Sequence, residues 1–390
     1  MKKAATILAV LSLFVLQSPV SNSQTGQLVI HVKNGLDIAR LSETVVLAVP
    51  EILKSFKVAD WKTVHVTEGG SGRELVSQAV DMDGDAAMDL FLFQSDFKPA
   101  EDRTFVLKTG NPKLPAKDQF KVYARFVRER YDDFAWENDR IAHRMYGKAL
   151  ETWQQEPLTS SAVDVWTKRV RRLVINDWYM LDNYHADNGD GGDFYSAGPT
   201  RGCGGSGIWE NGKLFVSRNF IDTRVIANGP IRAVFELTYA PWDANGRKVS
   251  EVKRITLDAG QNFDRFESFY KLAPEGQFSY AVGIRNFGAA AVQSSRKDGW
   301  LRTWEPLQKG KSGNLGCGII LDPGALVDFT EADGNCLVVA KAQAGQPVSY
   351  YAGFGWDRSG DFANMADWDA YLQQFARRLR SPLKITLSAQ

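Results

Sequence analysis

Residues Ile231 to Ala240, IRAVFELTYA, decide the fold class, together with Ser250 to Ala259, SEVKRITLDA, and Phe263 to Leu272, FDRFESFYKL. The runs are rich in β-branched and aromatic residues, which suit a pleated, half-buried surface, and turn-forming residues separate them. Long strands in succession, with few helical patterns around them, predict large antiparallel sheets packed face to face. The strand-like runs FKVYARFV (120–127), GCGIILD (316–322) and NCLVVAKA (335–342) extend this pattern, so residues 119–390 are expected to form one large β-sandwich.

The preceding part reads as shorter strands: QLVIHVKN, ETVVLAV, TVHVTE, ELVSQAVDM, MDLFLFQ and RTFVLKT, alternating between apolar and polar residues. They predict a small N-terminal β-sandwich domain over residues 24–110, followed by a Pro- and Lys-bearing linker from Asn111 to Asp118. The fold class is therefore mainly β, a large antiparallel β-sandwich with a small N-terminal β-domain. Two helices are expected within the large part. One covers Val163 to Met180, where Val163, Trp166, Val170, Leu173, Val174 and Trp178 recur near helical spacing. The other covers Asp367 to Arg380, with Asp367 as N-cap and Pro382 beyond its end.

Met1-Lys2-Lys3, the apolar run Ala4 to Leu16 and the small polar residues through Ser23 have the layout of a signal peptide covering residues 1–23. The apolar run is too short to span a bilayer and no second apolar segment follows, so a periplasmic or secreted protein without membrane insertion is expected. Lys plus Arg number 47 against 46 Asp plus Glu, which offers no broad basic field for nucleic acid. The 11 Trp, 12 Tyr and 22 Phe supply faces on which sugar rings stack, although sheets use the same residues for packing. An exported protein could pair Cys317 with Cys336, and no CxxC spacing supports zinc. Asp81 to Asp85, DMDGD, fails the EF-hand pattern, because Ala86 and Leu92 stand where glycine and an acid are required.

Two clusters could carry chemistry. In Trp136 to Gly147, WENDRIAHRMYG, a strand over Ile141–Tyr146 places Ala142, Arg144 and Tyr146 on one face, with Ile141, His143 and Met145 on the other. Arg144 could grip a carboxylate while Tyr146 moves a proton. In Tyr184 to Tyr195, YHADNGDGGDFY, His185 is the leading general acid or base. Asp187, Asp190 and Asp193 recur every three residues and could hold a divalent cation, although Asn/Asp/Gly runs also make tight turns. The loop Gly198 to Gly207 lacks both the phosphate-loop and nucleophile-elbow patterns and is expected to bring Arg201 to a cleft. Arg285, Trp304, Glu305, Trp356 and Asp357 could complete that cleft.

Taken in order, WENDRIAHRMYG, DVW (164–166), WYMLDNYHADNGDGGDFY (178–195), GPTRGCGG (198–205) and WDAYLQQFARRLRSP (368–382) resemble an uncharacterised exported family of bacterial polysaccharide-utilisation systems. The resemblance spans nearly the whole mature chain. It implies a galactose-mutarotase-like supersandwich and an activity similar to ulvan oligosaccharide dehydratase, a lyase that removes water from a uronate by β-elimination. The matching positions are Trp136 to Arg140, Arg144, Tyr146, His185, Asp187, Asp193 and Tyr195; His143 departs from the family's commoner aromatic.

Dehydration needs a cation on the uronate carboxylate, for which Arg144 or Arg201 is expected. It needs a base for the C5 proton, here His185, and an acid for the 4-hydroxyl from Tyr195, Tyr146 or Tyr184. Trp136, Glu137, Asn138, Arg140, Tyr184 and Arg201 are expected to line the sugar site. A polysaccharide lyase would need the same roles. A glycoside hydrolase would instead pair Glu137 with Asp139 or Asp193. Sugar binding without catalysis is the remaining alternative.

Overall fold

The computed structural model describes residues 26–288 and 290–389. The expected signal peptide lies outside the described residues. The opening runs form strands Arg232–Ala244, Arg247–Asp258 and Phe263–Ala273, consecutive members of an eight-stranded antiparallel sheet. The first two are joined at Asn245-Gly246, whose φ values of 54° and 84° suit the tight turn that matches strand twist. From Val249 to Asp258 buried and half-buried residues alternate strictly, so one face enters the core. A five-stranded sheet opposes it, and Phe235, Ile255, Phe266, Val282, Val338 and Phe354 meet in the shared core.

The N-terminal sandwich pairs a three-stranded with a five-stranded sheet around Ile30, Val45, Phe93 and Phe105. The chain's last strand, Lys384–Ala389, joins this sandwich, with Leu28 opposite Ala389 and Lys33 opposite Lys384. Residues expected in the large sandwich thus complete the edge of the small one, because the apolar Ile385 and Leu387 pack on its core.

A fifth sheet carries the candidate site: Val122–Val127, Asp133–Asn138, Ala142–Met145, Asp164–Lys168 and Gly191–Gly192. Here one expectation is corrected. The stretch from Val163 to Met180 is not a single helix but the strand Asp164–Lys168 followed by the helix Ile175–Leu181. A short strand buried on both faces has no polar alternation, so local spacing does not separate it from a buried helix. The helix begins where it does because Glu137, far away in sequence, accepts the N–H groups of Val174 and Ile175 at 2.7–2.9 Å.

The C-terminal helix runs Met365–Arg380, and its N-cap is Asn364, which accepts from Ala366 and Asp367 at 2.8 and 3.2 Å. Its Trp368 lies so close over Gly316 that a Cβ there would be 2.3 Å away. Cys317 and Cys336 are free thiols on separate strands, so the bridge between them is not made; Cys203 is also free and buried.

Candidate active site

This fifth sheet and the residue just beyond its last strand bring three carboxylates to one guanidinium. Arg144 Nε donates to Asp164 Oδ2 at 2.9 Å and Nη2 to Asp193 Oδ2 at 2.9 Å, while Nη1 lies 3.5 Å from Asp133 Oδ2. Tyr146 Oη donates to Asp164 Oδ2 at 2.8 Å, and Tyr179 Oη to Asp133 Oδ2 at 3.1 Å. The rings of Trp166 and Tyr184 stand 5.3 and 5.6 Å from the guanidinium carbon. Burial, reinforced by the neighbouring Asp164 carboxylate, pushes Asp193 up to about 8. Burial likewise pushes Asp133 up to about 7 against the pull of Arg144 and Arg130. The cluster therefore stores a proton near neutral pH.

It reaches solvent through His185. That side chain is 62% exposed, its Nδ1 lies 3.5 Å from Asp193 Oδ2, and its ring sits 4.6 Å from the Tyr184 ring. Partial burial, then Arg144 and Arg130, lower its pKa and keep the imidazole neutral at pH 7, ready to accept a proton. Arg130 completes the rim. Its Nε donates to Tyr184 Oη at 2.8 Å and its Nη2 to Glu156 at 2.9 Å, and its side chain remains 14% exposed.

Several expected site residues stand elsewhere. Arg144 is buried with its guanidinium facing three protein carboxylates, which withdraws it from an incoming substrate. Tyr146, expected as an acid for the leaving hydroxyl, is buried with its hydroxyl committed to Asp164, and burial drives its phenol upward. Trp136 is fully buried, donating to Asp264 at 2.8 Å and stacking on His143. Glu137 is sealed between Lys168 Nζ, at 2.6 Å, and the helix N-terminus, which removes it from any catalytic carboxylate pair. Asn138 bridges the carbonyls of Asp258 and Gln261, and Arg140 pairs with Asp361 at 2.6 Å. These residues form a structural spine because strand Asp133–Asn138 is buried along its whole length.

Tyr195 lies in a separate part of the core, with the Arg285 guanidinium carbon 4.0 Å from its ring centre, and Arg285 itself pairs with Glu305. Trp356 is also buried. Arg201 is buried beside Ser161, and burial pulls it down to about 10. The three loop aspartates do not converge on one ion: Asp187 takes Arg169, Asp190 takes Arg172 and Asp193 takes Arg144. Among the described residues, the acids close enough to share an ion are Asp81, Asp83 and Asp89. They accept backbone N–H groups of their own turn.

Asp133, Asp164 and Arg130 carry the site without having been singled out. Asp164 lies within the DVW motif, and Arg130 within a charged run just before a buried strand; those were the available signals. A cleft of about 580 Å³ opens elsewhere, lined by Glu68, Arg73, Arg103 and Lys121 among others. There Glu68 is held by both Arg73 and Arg103.

The high Asp193 pKa makes stability depend on pH. Its folded value of about 8 lies above the unfolded value of about 3.9, so the native state holds a proton that the unfolded chain releases between them. Stability is therefore greatest below pH 4 for this group and is lost as pH rises towards 8. Asp193→Asn is expected to flatten that fall by on the order of a few kcal/mol. Urea midpoints at pH 5 and pH 9 check this: an unchanged difference between wild type and variant would contradict it.

Fold and site together define a multi-sheet antiparallel β-sandwich protein whose buried acid–arginine cluster surfaces at one histidine. The chain belongs to the family described as "Domain of unknown function (DUF4861)", which matches residues 32–385. A relative from Formosa agariphila, "Uncharacterized protein P7", is 32% identical over 380 residues, covering 92% of this chain and 93% of that protein. A solved Enterococcus faecalis protein in the glycosyl hydrolase family 38 shares the fold at 10% identity and a TM-score of 0.52. That match covers 94% of this chain and 48% of the other, so this chain spans about half its length.

Proposed function

We propose that this protein is an exported carbohydrate-active lyase, a dehydratase that removes water by β-elimination from a uronate residue of an oligosaccharide such as an ulvan fragment. The observation that carries the reading is His185, an exposed neutral imidazole backed by Asp193 and flanked by Arg130. In this mechanism Arg130 takes the uronate carboxylate, exchanging the exposed Glu156 for it, which makes the C5 proton more acidic. His185, through the nitrogen that does not face Asp193, removes that proton. The C4–O bond then breaks as the C4–C5 double bond forms.

Of the three tyrosines considered as acid, Tyr184 adjoins His185, yet it is only 1% exposed and its oxygen is held by Arg130. The imidazolium itself is therefore the better donor, returning its proton to the departing hydroxide as water. Asp193 Oδ2 lies 3.5 Å from Nδ1, which leaves the other ring nitrogen for the exchange.

Uronate oligosaccharides from ulvan, incubated with the protein and read by mass and ultraviolet absorbance, test the reading. Loss of one water with new absorbance supports it. Cleavage with absorbance would make the enzyme a polysaccharide lyase, saturated products a hydrolase, and binding without product a sugar-binding protein. Arg130→Met is expected to weaken uronate binding by about 1.5–3 kcal/mol, on the order of 10- to 100-fold in Kd. Calorimetry checks this, and equal loss for a carboxyl-reduced analogue would argue against the carboxylate role.

A further inference from the structure

Beside the His185 rim the chain makes a turn of unusual geometry. Tyr131 and Asp132, neither of them glycine, both have left-handed backbones, with φ of 49° and 65°. Such strain persists where its surroundings over-determine it, and it clusters at functional sites. Here it is held from behind: the Asp132 carbonyl lies against Gly147, where a Cβ would sit 1.9 Å from that oxygen. The turn sends the side chains on either side of Asp132 in opposite directions. Asp133 enters the buried arginine cluster, whereas Tyr131 is turned outward and is 41% exposed.

The outward ring is not loose. It stacks on Trp153 with centroids 4.4 Å apart and planes 22° from parallel. The Arg130 guanidinium carbon lies 4.5 Å from the Trp153 ring centre, and Arg130 in turn holds Tyr184, whose ring adjoins His185. A rigid, backed aromatic face thus stands in continuous contact with the proton-transfer group.

We propose that Tyr131, braced by Trp153, is a stacking subsite for a pyranose ring of the oligosaccharide, one next to the sugar that meets His185. This rests on the reading of His185 as facing a glycan. The C–H face of a pyranose is apolar and planar enough to cover an aromatic ring, and a ring already fixed by its neighbour loses little freedom on binding. Tyr131 and His185 are linked through Trp153, Arg130 and Tyr184 rather than by direct contact, which sets the stacking ring apart from the reacting one. The subsite therefore senses chain length and leaves the reacting ring alone.

Calorimetry with a disaccharide and a tetrasaccharide from ulvan, on full-length His185→Ala protein to prevent turnover, tests the proposal. The tetrasaccharide is expected to bind roughly 3- to 10-fold more tightly, and Tyr131→Gly to erase that advantage while leaving the disaccharide unchanged. Glycine accepts the left-handed backbone, so this variant removes the ring without straining the turn, and Tyr131→Phe should keep the advantage. A Tyr131→Gly protein that still prefers the tetrasaccharide overturns the subsite, as does wild-type protein that binds neither saccharide. A chain-length effect lost in Tyr131→Gly, with no unsaturated product from the wild type, would uphold the subsite while refuting the dehydratase.

Discussion

His185→Ala is expected to lower turnover of uronate oligosaccharides by about 10²- to 10⁴-fold while leaving stability within about 0.5 kcal/mol. The asymmetry follows from position. The ring is largely exposed, packs against Tyr184 and lies near one oxygen of Asp193, so little of the fold depends on it. In the proposed mechanism all the proton transfer does depend on it, because the acids and tyrosines of the cluster are buried. His185→Gln should be equally inactive, since an amide keeps a hydrogen bond to Asp193 but does not accept a proton at neutral pH. Initial rates by ultraviolet absorbance together with urea unfolding check both halves. A variant with unchanged turnover would remove His185 from the mechanism.

Arg144→Met should have the opposite profile, destabilising the protein by about 3–5 kcal/mol. The guanidinium faces Asp133, Asp164 and Asp193, and methionine would leave those acids buried without a counter-charge. They would respond by holding protons more tightly, raising their folded pKa values further above the unfolded value near 3.9. The native state would then bind more protons than the unfolded chain over a wider window, so the stability loss grows as pH rises. Denaturant unfolding at pH 5 and pH 8 measures this. A destabilisation equal at both pH values would mean that Arg144 matters by packing alone.

These two residues show how far local pattern reaches. His185 was conspicuous because few histidines exist in the chain and this one sits in a glycine-rich loop. Arg144 was equally conspicuous, but its partners were not. Asp133 and Asp164 lie on different strands, and Asp193 lies beyond the short strand Gly191–Gly192. Only strand pairing closes the distances, so a residue expected to grip the substrate becomes the counter-ion of three acids. The motif Trp136 to Arg140 misleads for a related reason. Polar and aromatic residues mixed on a strand look the same whether they line a cleft or satisfy one another in the interior, and here burial decides for the interior.

The sequence by itself determined the β-sheet architecture, because period-two patterning and β-branched, aromatic composition act through nearest neighbours along the chain. The Asn245-Gly246 turn, too, is local chemistry. Tertiary structure alone decided the rest. The helix at Ile175 starts where Glu137 caps it, and Lys384–Ala389 returns to close the N-terminal sandwich. Arg130 reaches the rim through Tyr184, a partner 54 positions away. Each is a contact between segments remote in sequence, and burial and charge compensation between such segments leave no periodic trace in either one.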